Sequence, residues 1–83
     1  MNNDTKHLIR TLIDAIDLAR ERVSECEREY ALISRQHESL LKSGPDDERL
    51  GRSNLRLKDA TLRWHNATVK LEDLQTQLDL LLS

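Results

Sequence analysis

Residues Leu40 to Leu50 read LLKSGPDDERL, a segment that holds the chain's one proline, Pro45, and one of its two glycines, Gly44. Such a segment is a linker between independent helices, a kink in one long helix, or a reversal of the chain. Gly44 suits the left-handed position just past a helix end, and Pro45 cannot continue the backbone hydrogen-bond ladder. Asp46, Asp47 and Glu48 then bring three carboxylates to an opening turn, where the helix dipole favours negative charge. One helix ends here and another begins.

Both flanks of the segment carry the same apolar period. Upstream, Ile9, Leu12, Ile16, Ala19, Val23, Cys26, Tyr30, Ile33, His37 and Leu40 step alternately by three and four residues. Downstream, Leu50, Ser53, Leu57, Ala60, Trp64, Ala67, Leu71, Leu74, Leu78 and Leu81 do the same. These are the a and d positions of heptad repeats, the seam of helices packed as a coiled coil. Strand-like alternation is sustained nowhere. The spacing predicts a first helix over about residues 5–42, a turn over about 43–46 and a second helix over about 47–82, in a single domain spanning 1–83. Asp4 or Thr5 is the expected N-cap of the first helix. Gly51 costs the second helix about 1 kcal/mol relative to alanine, and Ser53 is a second possible cap if that first turn frays.

If the chain folds back at Pro45, facing residues have numbers summing to 90. Every seam residue then meets a seam residue: Ile9 with Leu81, Leu12 with Leu78, Cys26 with Trp64, Tyr30 with Ala60, His37 with Ser53. Sizes alternate as well, because the two aromatic rings face a cysteine and an alanine, which is how a close-packed core fills its volume. A parallel homodimer would stack Trp64 on Trp64 and Ala19 on Ala19. The expected fold is therefore all-α, an antiparallel two-helix coiled-coil hairpin reversing at Ser43–Asp47, with Trp64 buried in the seam. Beside the seam, Glu29 and Arg63 should meet across the hairpin, and Arg22 and Lys70 should approach as like charges. Exposed pairs of this kind are worth at most about 1 kcal/mol.

Composition agrees with long, surface-rich helices. Charged residues make up 34% of the chain and the only aromatics are Tyr30 and Trp64, too few for a sheet sandwich. Eighty-three residues allow one small core. Thirteen basic against fifteen acidic residues leave a net charge of −2, without the basic footprint of a nucleic-acid binder. Cys26 stands alone, so it forms no internal disulfide and reads as a small buried hydrophobe in a reducing compartment. No apolar run approaches the ~18 residues of a membrane span, and MNNDTKHLIR lacks a signal-peptide core. A cytoplasmic protein without membrane contact is expected.

No motif carries chemistry. His7, His37 and His65 are too widely spaced for a metal site, and His37 is expected to bond Ser53 or water near the tip. Asp46-Asp47-Glu48 lacks the spaced ligands and central glycine of a calcium loop. There is no glycine-rich phosphate loop, and a two-helix seam offers no desolvated pocket. No enzymatic activity, catalytic residue, metal or cofactor is therefore expected. Arg49, Arg52, Arg56, Lys58, Arg63 and Lys70 make much of the second helix basic, but Glu48, Asp59 and the facing Glu25, Glu27 and Glu29 interrupt them. This reads as a solvated face, not a phosphate track.

The informative feature is a surplus of apolar residues beyond the seam. Leu55, Leu62 and Val69 recur every seven residues at the f position, opposite the seam, where an isolated hairpin would point them into water. At the open end, Leu8, Ile13, Ala15 and Leu18 broaden the first helix, and Leu80 and Leu82 broaden the second. Leu55, Leu62, Val69, Leu8, Ile13, Leu18, Leu80 and Leu82 are the candidate partner-binding residues. A two-helix seam leaves its residues half open against about 1.5 kcal/mol of conformational entropy per ordered residue. A lone hairpin should be marginal, so a helical partner protein or a second copy of the chain is expected.

The layout resembles the small co-chaperones of type III secretion needle subunits (YscE/SsaE-like helical hairpins). The likeness is one of layout: a long first helix, a short polar turn (here LLKSGPDDERL) and a long amphipathic second helix, here with the leucine- and alanine-spaced NLRLKDATLRWHNATVKLEDL of Asn54–Leu74. The resemblance implies a cytoplasmic hairpin that pairs with a helical-repeat chaperone and, with it, holds an aggregation-prone needle subunit unpolymerised before export. It assigns no binding residue. The alternative is a self-assembling structural or regulatory protein, such as a homodimeric four-helix bundle or a small phage-type inhibitor of another protein.

Overall fold

In the computed structural model, which describes residues 2–83, the chain forms two helices, α1 (Asn3–Lys42) and α2 (Asp47–Leu82). The 40 residues of α1 at about 1.5 Å each span roughly 60 Å. The molecule measures 63 × 15 × 14 Å, so α2 lies alongside α1 over its whole length. The antiparallel hairpin expected from the mirrored heptads is the observed fold.

Local chemistry sets each helix end. Asn2, with extended backbone, accepts a hydrogen bond from the Thr5 amide at 2.7 Å through Oδ1 and caps α1. This corrects the expectation of Asp4 or Thr5. Asparagine caps as well as aspartate, and capping two residues earlier leaves Asp4 in the first turn, where its charge opposes the positive helix end. At the other end the Ser43 amide and hydroxyl both donate to the Leu40 carbonyl, at 3.1 and 2.7 Å. Gly44 follows with φ +67°, in the left-handed region that favours glycine. Asp46 then caps α2, its Oδ1 accepting from the Arg49 amide at 2.8 Å. With that cap in place α2 is helical from Asp47 through Gly51, and Ser53 does not act as an alternative start.

The seam lies where the heptads put it. Every seam residue from Ile9 to Leu40 and from Leu50 to Leu81 is buried or half-buried. Three side-chain contacts pin the register: His37 Nδ1 to Ser53 Oγ at 2.7 Å, Arg63 to Glu29 at 2.8 Å, and Arg56 donating to Gln36 Oε1 at 3.3 Å. A shift by one residue would break all three and turn the seam toward solvent.

Size alternation across the seam has an outcome that the pairing scheme did not anticipate. The small members of the aromatic layers, Cys26 and Ala60, are the most deeply buried residues, each 2% exposed. Tyr30 and Trp64 are only half-buried and lie against one another, ring centroids 5.2 Å apart and planes tilted by 41°. With no third layer, a large ring starting in the seam stays partly exposed on the flank. Trp64 is thus a half-buried residue and not a fully buried core residue, a correction to the sequence expectation. Offset aromatic contact of this type adds about 0.5–1.5 kcal/mol beyond area burial.

Candidate interaction surface

The outward columns of the two helices differ in kind. On α1 the column opposite the seam is His7, Asp14, Glu21, Arg28, Arg35 and Lys42, polar or charged at every step and exposed throughout. On α2 the matching column runs Glu48, Leu55, Leu62, Val69 and Thr76, and its three central members are apolar and 68%, 55% and 47% exposed. Beside it, Asn54, Leu57, Lys58, Thr61, Leu62 and His65 line a shallow hollow formed by α2 alone. Lys58 and His65 are the only ionisable groups there, so the middle of this face is low in charge as well as apolar. Thr61 and Thr68 contribute little polarity, because their hydroxyls donate to the Leu57 and Trp64 carbonyls of their own helix at 2.8 and 2.9 Å.

The open-end candidates are all exposed but do not form one patch. Leu18 borders a depression with Ala15, Ala19, Arg22, Ala67 and Lys70 on one flank. Ile13 borders another with Ile16, Asp17, Arg20, Gln75 and Leu78 on the opposite flank. Leu8 and Leu80 belong with Leu18 by heptad position, and Leu82 belongs with Ile13. The seam therefore divides what the sequence grouped together. Two further exposed leucines, Leu32 and Leu41, escaped the sequence reading. Subtracting every seam position from the apolar list, in place of searching for seven-residue runs, would have found both.

The remaining chemistry-bearing side chains are quiet. Cys26 is a free thiol sealed in the seam. The imidazole of His37 is held by Ser53 in the tip layer. Arg63 bridges Glu29 at 2.8 Å and Asp59 at 3.2 Å, while its Nε is buried without a hydrogen-bond partner among the described residues. No group of three or more metal-ligating side chains occurs among the described residues. No helix among them is long and apolar enough to cross a membrane. Comparison with known proteins adds no neighbour: no family model matches the sequence, and no curated protein or solved structure matches it either.

Proposed function

We propose that the chain is a non-enzymatic protein–protein interaction module that acts in the cytoplasm by lending one helical face to a helical partner, in the manner of a small co-chaperone. The observation that carries this reading is the exposed column Leu55, Leu62 and Val69 on α2, set against a fully polar column on α1. The two helices turn different faces outward, and apolar residues in strict register on a solvent face mark contact sites.

Surface area supports it. A compact monomer of 9.7 kDa has about 5,100 Å² of accessible surface, whereas this rod has 6400 Å². The excess exceeds the ~800 Å² that one partner buries in a standard interface. The likeness in layout to needle-subunit co-chaperones names a concrete candidate arrangement: a heterodimer with a helical-repeat chaperone that keeps an export subunit unpolymerised.

The test is the double variant Leu55→Glu, Leu62→Glu. Far-UV circular dichroism should be unchanged, because neither residue belongs to the seam, while co-purification of the native partner is lost. If the variant retains the partner at parental yield, the outer column is not the contact. If the parent alone sediments as a tight dimer that the variant converts to monomer, the face serves self-assembly, and the homodimeric bundle replaces the co-chaperone reading.

A further inference from the structure

The cross-hairpin contacts of Arg63 with Glu29 and of Arg56 with Gln36 lie on one flank. Along that flank α2 sets one cation per heptad: Arg49, Arg56, Arg63 and Lys70. Arg63 is neutralised by Glu29 and Asp59. Among the described residues Arg49, Arg56 and Lys70 make no ion pair. From the other side of the groove Arg22 borders the same depression as Lys70, and it pairs with Glu25 of its own helix at 3.5 Å. Nearer the tip, Arg49, Arg52 and Arg56 line a second depression with Gln36 and Ser53.

The α1 edge of this flank carries exposed leucines, with the Arg22–Glu25 pair and Glu29 lying between Leu18 and Leu32. Leu18 is exposed above a floor of Ala15, Ala19 and Ala67. Leu8 and Leu32, also exposed, fall on the same flank, one repeat before Ala15 and two repeats after Leu18. The groove between the helices therefore has three exposed leucines on one bank, where the charged residues Arg22, Glu25 and Glu29 are already paired, and three unpaired cations on the other.

We propose that this flank seats an acidic amphipathic helix of a partner protein. Its apolar face lies on Leu8, Leu18 and Leu32, and its carboxylates, one per heptad, pair with Arg49, Arg56 and Lys70. The repeat argues for a helix: cations seven residues apart stand about 10.5 Å apart along α2, and a helix laid alongside repeats its own heptad at that interval. A nucleic-acid strand would lay phosphates along the whole flank, across Glu25, Glu29 and Asp59, whereas a helix can present carboxylates at Arg49, Arg56 and Lys70 and none at the already neutralised Arg63. A second copy meeting through its own equivalent flank would bring three unpaired cations from each chain into one contact, with the carboxylates of the flank already paired. The inference rests on the chain being an interaction module but not on the outer column of α2 being a contact.

The probe is a four-heptad synthetic peptide with leucine at a and d and glutamate at e and g, compared with the same peptide carrying lysine in place of glutamate. Binding is read by fluorescence anisotropy of the labelled peptide. The glutamate peptide should bind the parent and the lysine peptide should not. Added salt should weaken binding, as expected for exposed charge pairs. Arg49→Glu/Arg56→Glu/Lys70→Glu should weaken it about tenfold or more, three exposed pairs acting together. Arg28→Glu/Arg35→Glu/Lys42→Glu, with the same change in net charge on the outer column of α1, should bind like the parent. If the first triple variant loses helicity, Arg49→Gln/Arg56→Gln/Lys70→Gln carries the same comparison. Equal weakening by the two triple variants, equal binding of the lysine peptide, or tighter binding of an oligothymidylate through the same residues would overturn the proposal. Failure of the Leu55/Leu62 test leaves this readout intact, so the two claims fall separately.

Discussion

Gly44 has φ +67°, whereas Gly51 lies inside α2 with open space where a Cβ would sit. The same substitution should therefore act in opposite directions. Gly44→Ala forces an L-residue into the left-handed region and should destabilise by about 1–2 kcal/mol. Gly51→Ala removes a flexible residue from a helix interior and should stabilise by about 1 kcal/mol. Urea titration of the two variants reads both, and equal signs would contradict the turn geometry. Trp64 is the other position where a single residue matters. Its half-buried ring touches Tyr30, so Trp64→Ala should cost about 2 kcal/mol, below the ~3–5 kcal/mol of a fully buried aromatic. The aromatic contact was not legible in the sequence, because facing pairs were matched layer by layer. The rings reach each other diagonally, Tyr30 from one layer and Trp64 from the next.

The two helices were legible almost to the residue, since their period is unbroken and the turn holds both a glycine and a proline. The start of α1 was the exception. Asn2, Asp4 and Thr5 are all acceptable caps, and sequence offers no means to rank them when each leaves the seam register unchanged. At the start of α2 the choice was narrower, because Pro45 precedes a run of carboxylates. Asp46→Ala removes the acceptor of the Arg49 amide and should cost about 1 kcal/mol. Hydrogen exchange at Arg49 should quicken, with the middle of α2 unaffected. If the amide stays protected, Asp47 or Ser53 has taken over the cap.

Over the whole molecule, the decisive quantity is how little is sealed. The fully buried apolar set is Leu12, Ile16, Ala19, Cys26, Ile33, Ala60 and Ala67, and α2 supplies only the two alanines. Native domains hold about 0.05–0.15 kcal/mol per residue. A rod this thin belongs at the lower end, about 4 kcal/mol for the isolated chain. Equilibrium urea unfolding of dilute monomer checks this. A value twice as large without association would show that the seam suffices and that no partner is needed for stability. A midpoint that rises with protein concentration would instead point to a second copy.

The sequence by itself determined the hairpin: mirrored heptads, a glycine–proline reversal and an apolar surplus on α2 leave one economical way to bury the seam. Side-chain spacing along a helix is rigid, so faces follow from numbers alone. Only the tertiary structure decided which side chains meet across the groove. It set Leu18 beside Ala67 and Lys70 on one flank and Ile13 beside Gln75 and Leu78 on the other, and it showed that three cations of the Arg49 column stay unpaired. Those outcomes depend on how two helices lie against each other, on the reach of each side chain across the groove, and on the lack of a third layer to cover what the seam leaves open.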